Sequence, residues 1–236
     1  MIIILKTIRL VGKKMNKVLI IAPHPDDETL GCGGTLLKHG SSGDEIHWLI
    51  VTNITEKDGW GIEKVSRRQK EIKKVSKAYG FKSVHKLDFP TMKLDAIPIS
   101  ELVNKISNVI KKVKPHFIYL NDQNDIHTDH QIVFKAVMSS SKSFRHPYIQ
   151  RILNYETLSE TEFTAPLQGK AFQPNVFVDI TKYFEKKGKI MLEYDSEVMD
   201  PPYPRSLDVI EALAKYRGSR IGVKYAEAFS LLYEKA

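Results

Sequence analysis

Two short segments concentrate the side chains that can do chemistry, Pro23-His24-Pro25-Asp26-Asp27-Glu28 and Asp125-Ile126-His127-Thr128-Asp129-His130. A catalytic zinc usually takes three protein ligands from His and Asp or Glu and keeps a fourth position for water. His24 and Asp27 stand three apart, so one turn can fold both onto a single ion. Pro25 restricts that turn by fixing its own φ and biasing His24 away from the helical region. A third ligand must come from elsewhere, and the second segment offers His127 and His130; spacing alone does not choose between them. Amide hydrolysis at neutral pH also needs an activated water, a proton acceptor and a group that holds the oxyanion. Bound zinc brings the pKa of water down to about 7. A carboxylate beside the metal can take the water proton and return it to the leaving amine. An imidazole kept charged by a carboxylate can stabilise the oxyanion. Asp26, His127 and Asp129 have the chemistry for those three roles.

The elements that must position these residues alternate strand and helix. Lys17 to Ala22 is a continuous apolar run, the pattern of a strand covered on both faces. A helix is expected from Glu28 to His39 with Gly40 as its C-cap. Strands follow at about Glu45 to Thr52, Val84 to Phe89, His116 to Leu120 and Arg151 to Glu156. Helices are expected at Gly61 to Tyr79 (closed by Gly80), Ile99 to Val113 and Asp129 to Ser140. This rhythm implies right-handed crossovers in an α/β fold with a mostly parallel sheet and helices on both faces. With strand order 3-2-1-4-5, the two segments meet beyond the carboxyl ends of strands one and four. The second half is less regular, with a strand at Asn175 to Ile180 and helices near Lys182 to Tyr194 and Leu207 to Arg217. The prolines 201, 202 and 204 mark a turn.

Composition is that of an ordinary soluble chain of 236 residues, 42% apolar and 27% charged. The net charge of +8 reads as a lysine-rich solvated surface, because no arginine-aromatic interleaving accompanies it. Nucleic acid is not expected as a partner. The single cysteine, Cys32, excludes an intramolecular disulfide and fits a reducing, cytoplasmic setting. The apolar run Ile2 to Leu5 is far shorter than the roughly 20 residues that span a bilayer, so membrane insertion is not expected. Met15 is placed as an alternative start. Residues 1–14 are therefore expected to be a dispensable extension, and residues 15–236 one domain. Oligomeric state is left open, and a homo-oligomer is compatible.

Ala22-Pro23-His24-Pro25-Asp26-Asp27-Glu28, followed by Leu30-Gly31-Cys32-Gly33-Gly34, closely resembles the opening motif of the PIG-L/LmbE-like zinc N-deacetylases. His127-Thr128-Asp129-His130, Arg68-Gln69-Lys70-Glu71 and Tyr225-Ala226-Glu227-Ala228-Phe229 extend the resemblance along most of the chain from Met15. The resemblance implies a Rossmann-like fold and removal of acetyl from N-acetylglucosamine-type amides. It implies one zinc per chain on His24, Asp27 and His130; iron or cobalt could occupy the same donors. It also implies Asp26 as base, His127 at the oxyanion, Asp129 tuning it or orienting a ligand, and Arg68 reaching sugar hydroxyls. Two departures stand out. The loop Thr52 to Trp60 lacks the glycine-rich Thr-x-Gly-Glu-type segment of many members, and Thr128 replaces the commoner proline.

Blander readings exist for several residues. Arg68 can equally be solvated or paired with Glu71. Cys32 reads as a small packing residue, and His39, His47, His85, His116 and His146 as structural or surface groups. Trp60 and Tyr203 could stack on a sugar, although ordinary packing accounts for them. The glycines at 31, 33 and 34 fall inside a helix, which disfavours a nicotinamide cofactor. Two functions compete with amino-sugar deacetylation: an amidase on another small N-acyl compound such as a thiol conjugate, and a non-catalytic protein that binds sugar or nucleotide.

Overall fold

The computed structural model describes residues 15–166, 169 and 171–235. The expected dispensable extension lies outside the described residues.

One sheet of seven strands organises the chain. β1 (Lys17–Ala22), β2 (Glu45–Asn53), β3 (Ser83–Pro90), β4 (Phe117–Asn121) and β5 (Arg151–Tyr155) are mutually parallel in the order β3-β2-β1-β4-β5. β7 (Ala226–Glu234) pairs antiparallel with β5, and β6 (Val176–Asp179) closes the edge on β7. The continuous apolar run of β1 is explained by burial on both sides. Val18 and Ile20 join Trp48, Ile50 and Phe229 in one core, while Leu19 and Ile21 join Leu49, Val51 and Leu120 in the other. Helices α1 (Asp27–Ser41) and α2 (Ile62–Tyr79) supply the first core, with α5 (Phe184–Met191) and α6 (Leu207–Ser219). α3 (Ile99–Val113) and α4 (Thr128–Ser140) supply the second.

Two expectations need correction. Gly40 does not cap α1: the helix continues through it to Ser41 with Ser42 as its C-cap, and the left-handed residue is Gly43 (φ 83°). The late Tyr225-to-Phe229 segment opens a strand, β7, that the sequence reading did not draw. Because β7 inserts between β5 and β6, strand adjacency departs from chain order.

α1 is kinked at Cys32, whose φ and ψ are −144° and 21°. A kink frees helical amides and carbonyls, which must find other partners when buried. The buried Lys187 ammonium donates to the Leu30 carbonyl (2.9 Å) and to Glu227 (2.7 Å). Glu227 in turn accepts from the Gly34 and Thr35 amides at 2.8 and 2.7 Å. An ion pair drawn from α5 and β7 thus replaces the interrupted helical ladder.

The glycines before and after the kink are packing contacts. A Cβ on Gly31 would lie 2.1 Å from the Tyr155 ring. Tyr155 is fully buried and donates to the Ile21 carbonyl at 3.1 Å, so it cannot swing aside. Gly31→Ala should therefore destabilise the fold by about 1–3 kcal/mol, read as a lower denaturation midpoint at unchanged slope. An unchanged midpoint would mean that α1 can lift from β5 at no cost.

Candidate active site

The chain leaves β1 toward β2 on one side and returns from β3 through α3 to β4 on the other. The carboxyl ends of β1 and β4 therefore border a crevice at the switch in strand order. After β1, the Pro23 carbonyl is fixed by the Thr52 amide (3.0 Å) and hydroxyl (2.9 Å). The Asp27 carboxylate folds back to accept from the His24 amide at 2.7 Å. Asp26 sits between them at φ 125°, a region that a residue with a Cβ seldom adopts. Its amide donates to Glu28 (3.1 Å), and Glu28 is itself held by Tyr194 and Thr29 at 2.6 Å each. Such strain persists only where the surroundings over-determine it, and it gathers at functional sites.

Three donor atoms converge in the crevice. His24 Nδ1 lies 3.2 Å from His130 Nε2, and Asp27 Oδ2 lies 3.5 and 3.3 Å from those two nitrogens. Ligand bonds of 2.0–2.1 Å in a tetrahedron place donors about 3.3 Å apart, so the spacing fits a zinc-sized ion. The far side of each imidazole is held by a carboxylate. His24 Nε2 faces Asp129 Oδ2 at 3.1 Å, and His130 Nδ1 faces Asp125 Oδ2 at 2.8 Å. Carboxylate–histidine pairs of this kind orient metal ligands and raise their basicity. A second possible group, His24, His127 and Asp129, shares the crevice. Asp129 is already spent on the Met92 and Leu94 amides (2.7 and 3.2 Å), so the first group fits an ion better.

The electrostatics follow from this packing. Burial works to lower the His130 pKa, and the Asp27 and Asp125 carboxylates outweigh it, leaving the pKa raised. Burial would raise Asp27, but His130 and His24 hold its carboxyl well below the usual range. Asp26 is only 4% exposed. Burial, and then the charge of Asp27, push its carboxyl up to about 7. Arg205 Nη1, 3.5 Å from Asp26 Oδ2, opposes that shift.

His127 does not take the expected charged form. Its Nδ1 accepts from the Asp129 amide at 3.1 Å, which places the ring proton on Nε2. Burial and the neighbouring His24 and His130 lower its pKa to about 4. The Asp129 carboxylate meanwhile faces His24, so of its two expected roles the geometry favours orienting a ligand.

A model of the PIG-L family, described as GlcNAc-PI de-N-acetylase, matches residues 19–141, just over half of the chain. The chain belongs to the PIG-L family. The diacetylchitobiose deacetylase of Thermococcus kodakarensis is 29% identical over 221 residues, covering 90% of this chain and 82% of the relative. A probable N-acetyl-alpha-D-glucosaminyl L-malate deacetylase of Bacillus cereus is 25% identical, covering 72% and 78%. The N,N'-diacetylchitobiose deacetylase of Pyrococcus horikoshii, solved with an inhibitor, superposes with a TM-score of 0.73. It is 24% identical over 92% of this chain and 84% of that one, a likeness of fold. No helix among the described residues is long and apolar enough to cross a membrane.

The PIG-L motifs thus meet in one cleft, which Arg68 and Trp60 also line. Arg68 is 8% exposed and heavily engaged. It donates to the Pro25 carbonyl (3.0 Å) and to Glu197, and its Nε pairs with Glu71 at 3.1 Å. It braces the PIG-L turn against α2 and the segment around Glu197. Arg68→Ala should cost about 1–3 kcal/mol of stability, because it removes a buried cation that ties Glu71 and Glu197 to the Pro25 carbonyl. A purely substrate-facing arginine would leave the melting temperature unchanged.

The sequence reading assigned no role to Asp125, Glu160, Glu197 or Arg205, all now in or behind the cleft. Asp125 stood inside the quoted segment, five residues before His130, and that was its only signal. Arg205 follows the proline cluster and pairs with Glu197 at 2.9 Å. No periodicity or motif points to it.

Proposed function

We propose that the chain is a metal-dependent deacetylase of N-acetylated amino sugars, with His24, Asp27 and His130 as ligands and Asp26 as proton acceptor. The observation that carries this reading is the three-donor convergence with an unligated, buried Asp26 carboxyl beside it. The diacetylchitobiose deacetylase and N-acetyl-alpha-D-glucosaminyl L-malate deacetylase relatives support the amino-sugar class. A bound zinc or similar cation supplies Lewis acidity toward the amide carbonyl and the attacking water.

The residues do the rest. Asp26 accepts the proton of the attacking water and passes it to the departing amine nitrogen. Neutral His127 donates from Nε2 to the oxygen that gains charge, so it needs no partner carboxylate. Asp129 and Asp125 hold the His24 and His130 rings. The cleft has a volume of about 210 Å³. That is below the roughly 300–1,000 Å³ typical of enclosed ligand sites, so it suits one acylated ring with the rest of a larger substrate outside. We further propose that residues 15–236 form one domain.

A screen of N-acetylated sugars, free, phosphorylated and nucleotide-linked, tests this by acetate release before and after chelation. Chelator-sensitive release from an amino sugar is expected. No release from any of them, with metal bound, would favour the binding-protein reading.

A further inference from the structure

Two carboxylates in the cleft, Glu160 and Glu197, lie outside the ligand set and the proton acceptor, and Glu197 is held by Arg68 and Arg205. Glu160 lines the same crevice as His24, Asp26, Asp27 and His127. Its backbone is built into the site: its amide donates to the Thr157 carbonyl (3.1 Å), and its carbonyl accepts from the Ile126 amide (3.2 Å). The next residue, Thr161, donates its hydroxyl to Asp125 Oδ1 at 2.6 Å. Residue 160 is therefore tied to the turn that carries His127 and His130.

Its side chain is another matter. Among the described residues only the Ser159 hydroxyl donates to it, at 3.3 Å, and no lysine or arginine pairs with it. The other cleft acids are committed: Asp27 to the two histidines, Glu197 to Arg68 and Arg205, and Asp26 toward Arg205. Burial pushes the Glu160 carboxyl above its ordinary range, against the pull of His130. A half-buried carboxylate short of donors is costly unless a ligand brings them.

We propose that Glu160 is a specificity-determining residue whose carboxylate accepts hydrogen bonds from ring hydroxyls of the sugar that carries the acetamide. The inference rests on the amino-sugar reading above. Two carboxylate oxygens can accept from neighbouring hydroxyls together, and bonds to a charged acceptor are the stronger kind. A phosphate brings acceptors and negative charge to the same wall. The substrate class that follows is an amino sugar presenting hydroxyls, rather than phosphate, to Glu160. The overall charge of +8 does not decide this, because surface lysines are screened while Glu160 is close.

The test is calorimetric binding of N-acetylglucosamine and of its phosphate to metal-loaded Asp26→Asn protein, alone and combined with Glu160→Gln or Glu160→Ala. Metal content and melting temperature are recorded alongside. Both Glu160 substitutions should weaken N-acetylglucosamine binding by about tenfold, with metal content unchanged and melting no lower than in the parent. Glu160→Gln should also narrow the preference for the neutral sugar over the phosphate. Binding within twofold of the parent, loss of metal, or a phosphate preference that Glu160→Gln leaves unchanged would each overturn the role. Acetate release by the wild-type chain with Glu160-independent binding removes this inference and leaves deacetylation standing. Glu160-dependent binding without acetate release does the reverse.

Discussion

An Asp26→Asn chain is expected to bind the same metal as its parent and to lose about 10²–10⁴-fold in kcat. The amide keeps the shape of the side chain and the turn at φ 125°, but it cannot take a proton. The pH profile sharpens the expectation. Burial and Asp27 hold the Asp26 carboxyl protonated up to about 7 in the metal-free geometry. A base works only when ionised, so the rate should fall as pH drops through that limb. A cation in the crevice pulls the limb below 7. The limb should vanish in the Asn variant; a near-normal rate or a retained limb sinks the assignment. Linkage adds a second readout. A carboxyl raised from 3.8 to about 7 loses stability for the folded chain as pH climbs between those values. Metal-free Asp26→Asn should therefore melt above its parent at pH 8, with the gap closing toward pH 4. An equal melting point at pH 8 would mean that Asp26 is not a destabilised, functionally retained acid.

His130→Ala is expected to lose the metal outright, while Asp125→Asn weakens metal affinity by about 10–100-fold. The first removes a donor from a triangle of 3.2, 3.3 and 3.5 Å. The second leaves the donor and removes the carboxylate that orients it at 2.8 Å. His127→Ala should keep the metal and lose rate. Raised pKa values at His24 and His130 mean that an ion must displace protons, so affinity should weaken as pH falls. Competition with a chelator at several pH values measures all of this. Metal loss in His127→Ala with retention in His130→Ala would instead favour the group His24, His127 and Asp129.

Much of the fold and part of the site were legible in the residues. The alternation of strands and helices followed from apolar runs and short connections, which depend on nearby sequence; the meeting of the two segments followed only if the sheet took the order that it has. His24 and Asp27 were legible as a pair because a single turn brings them together, whereas the choice of His130 over His127 came only from the family resemblance. The tertiary structure decided what depends on groups distant in sequence. β7 inserts between β5 and β6, and Glu227 from that strand caps a kink at Cys32, a contact that no local pattern encodes. Arg68 is committed to Glu71, Glu197 and Pro25 because α2 and the Glu197 segment close over the turn. Burial and the neighbouring His24 and His130 hold His127 toward the neutral form, and its Nδ1 accepts from the Asp129 backbone amide. Charge state and orientation are set by burial and by partners from other elements, and neither is written in the spacing of a motif.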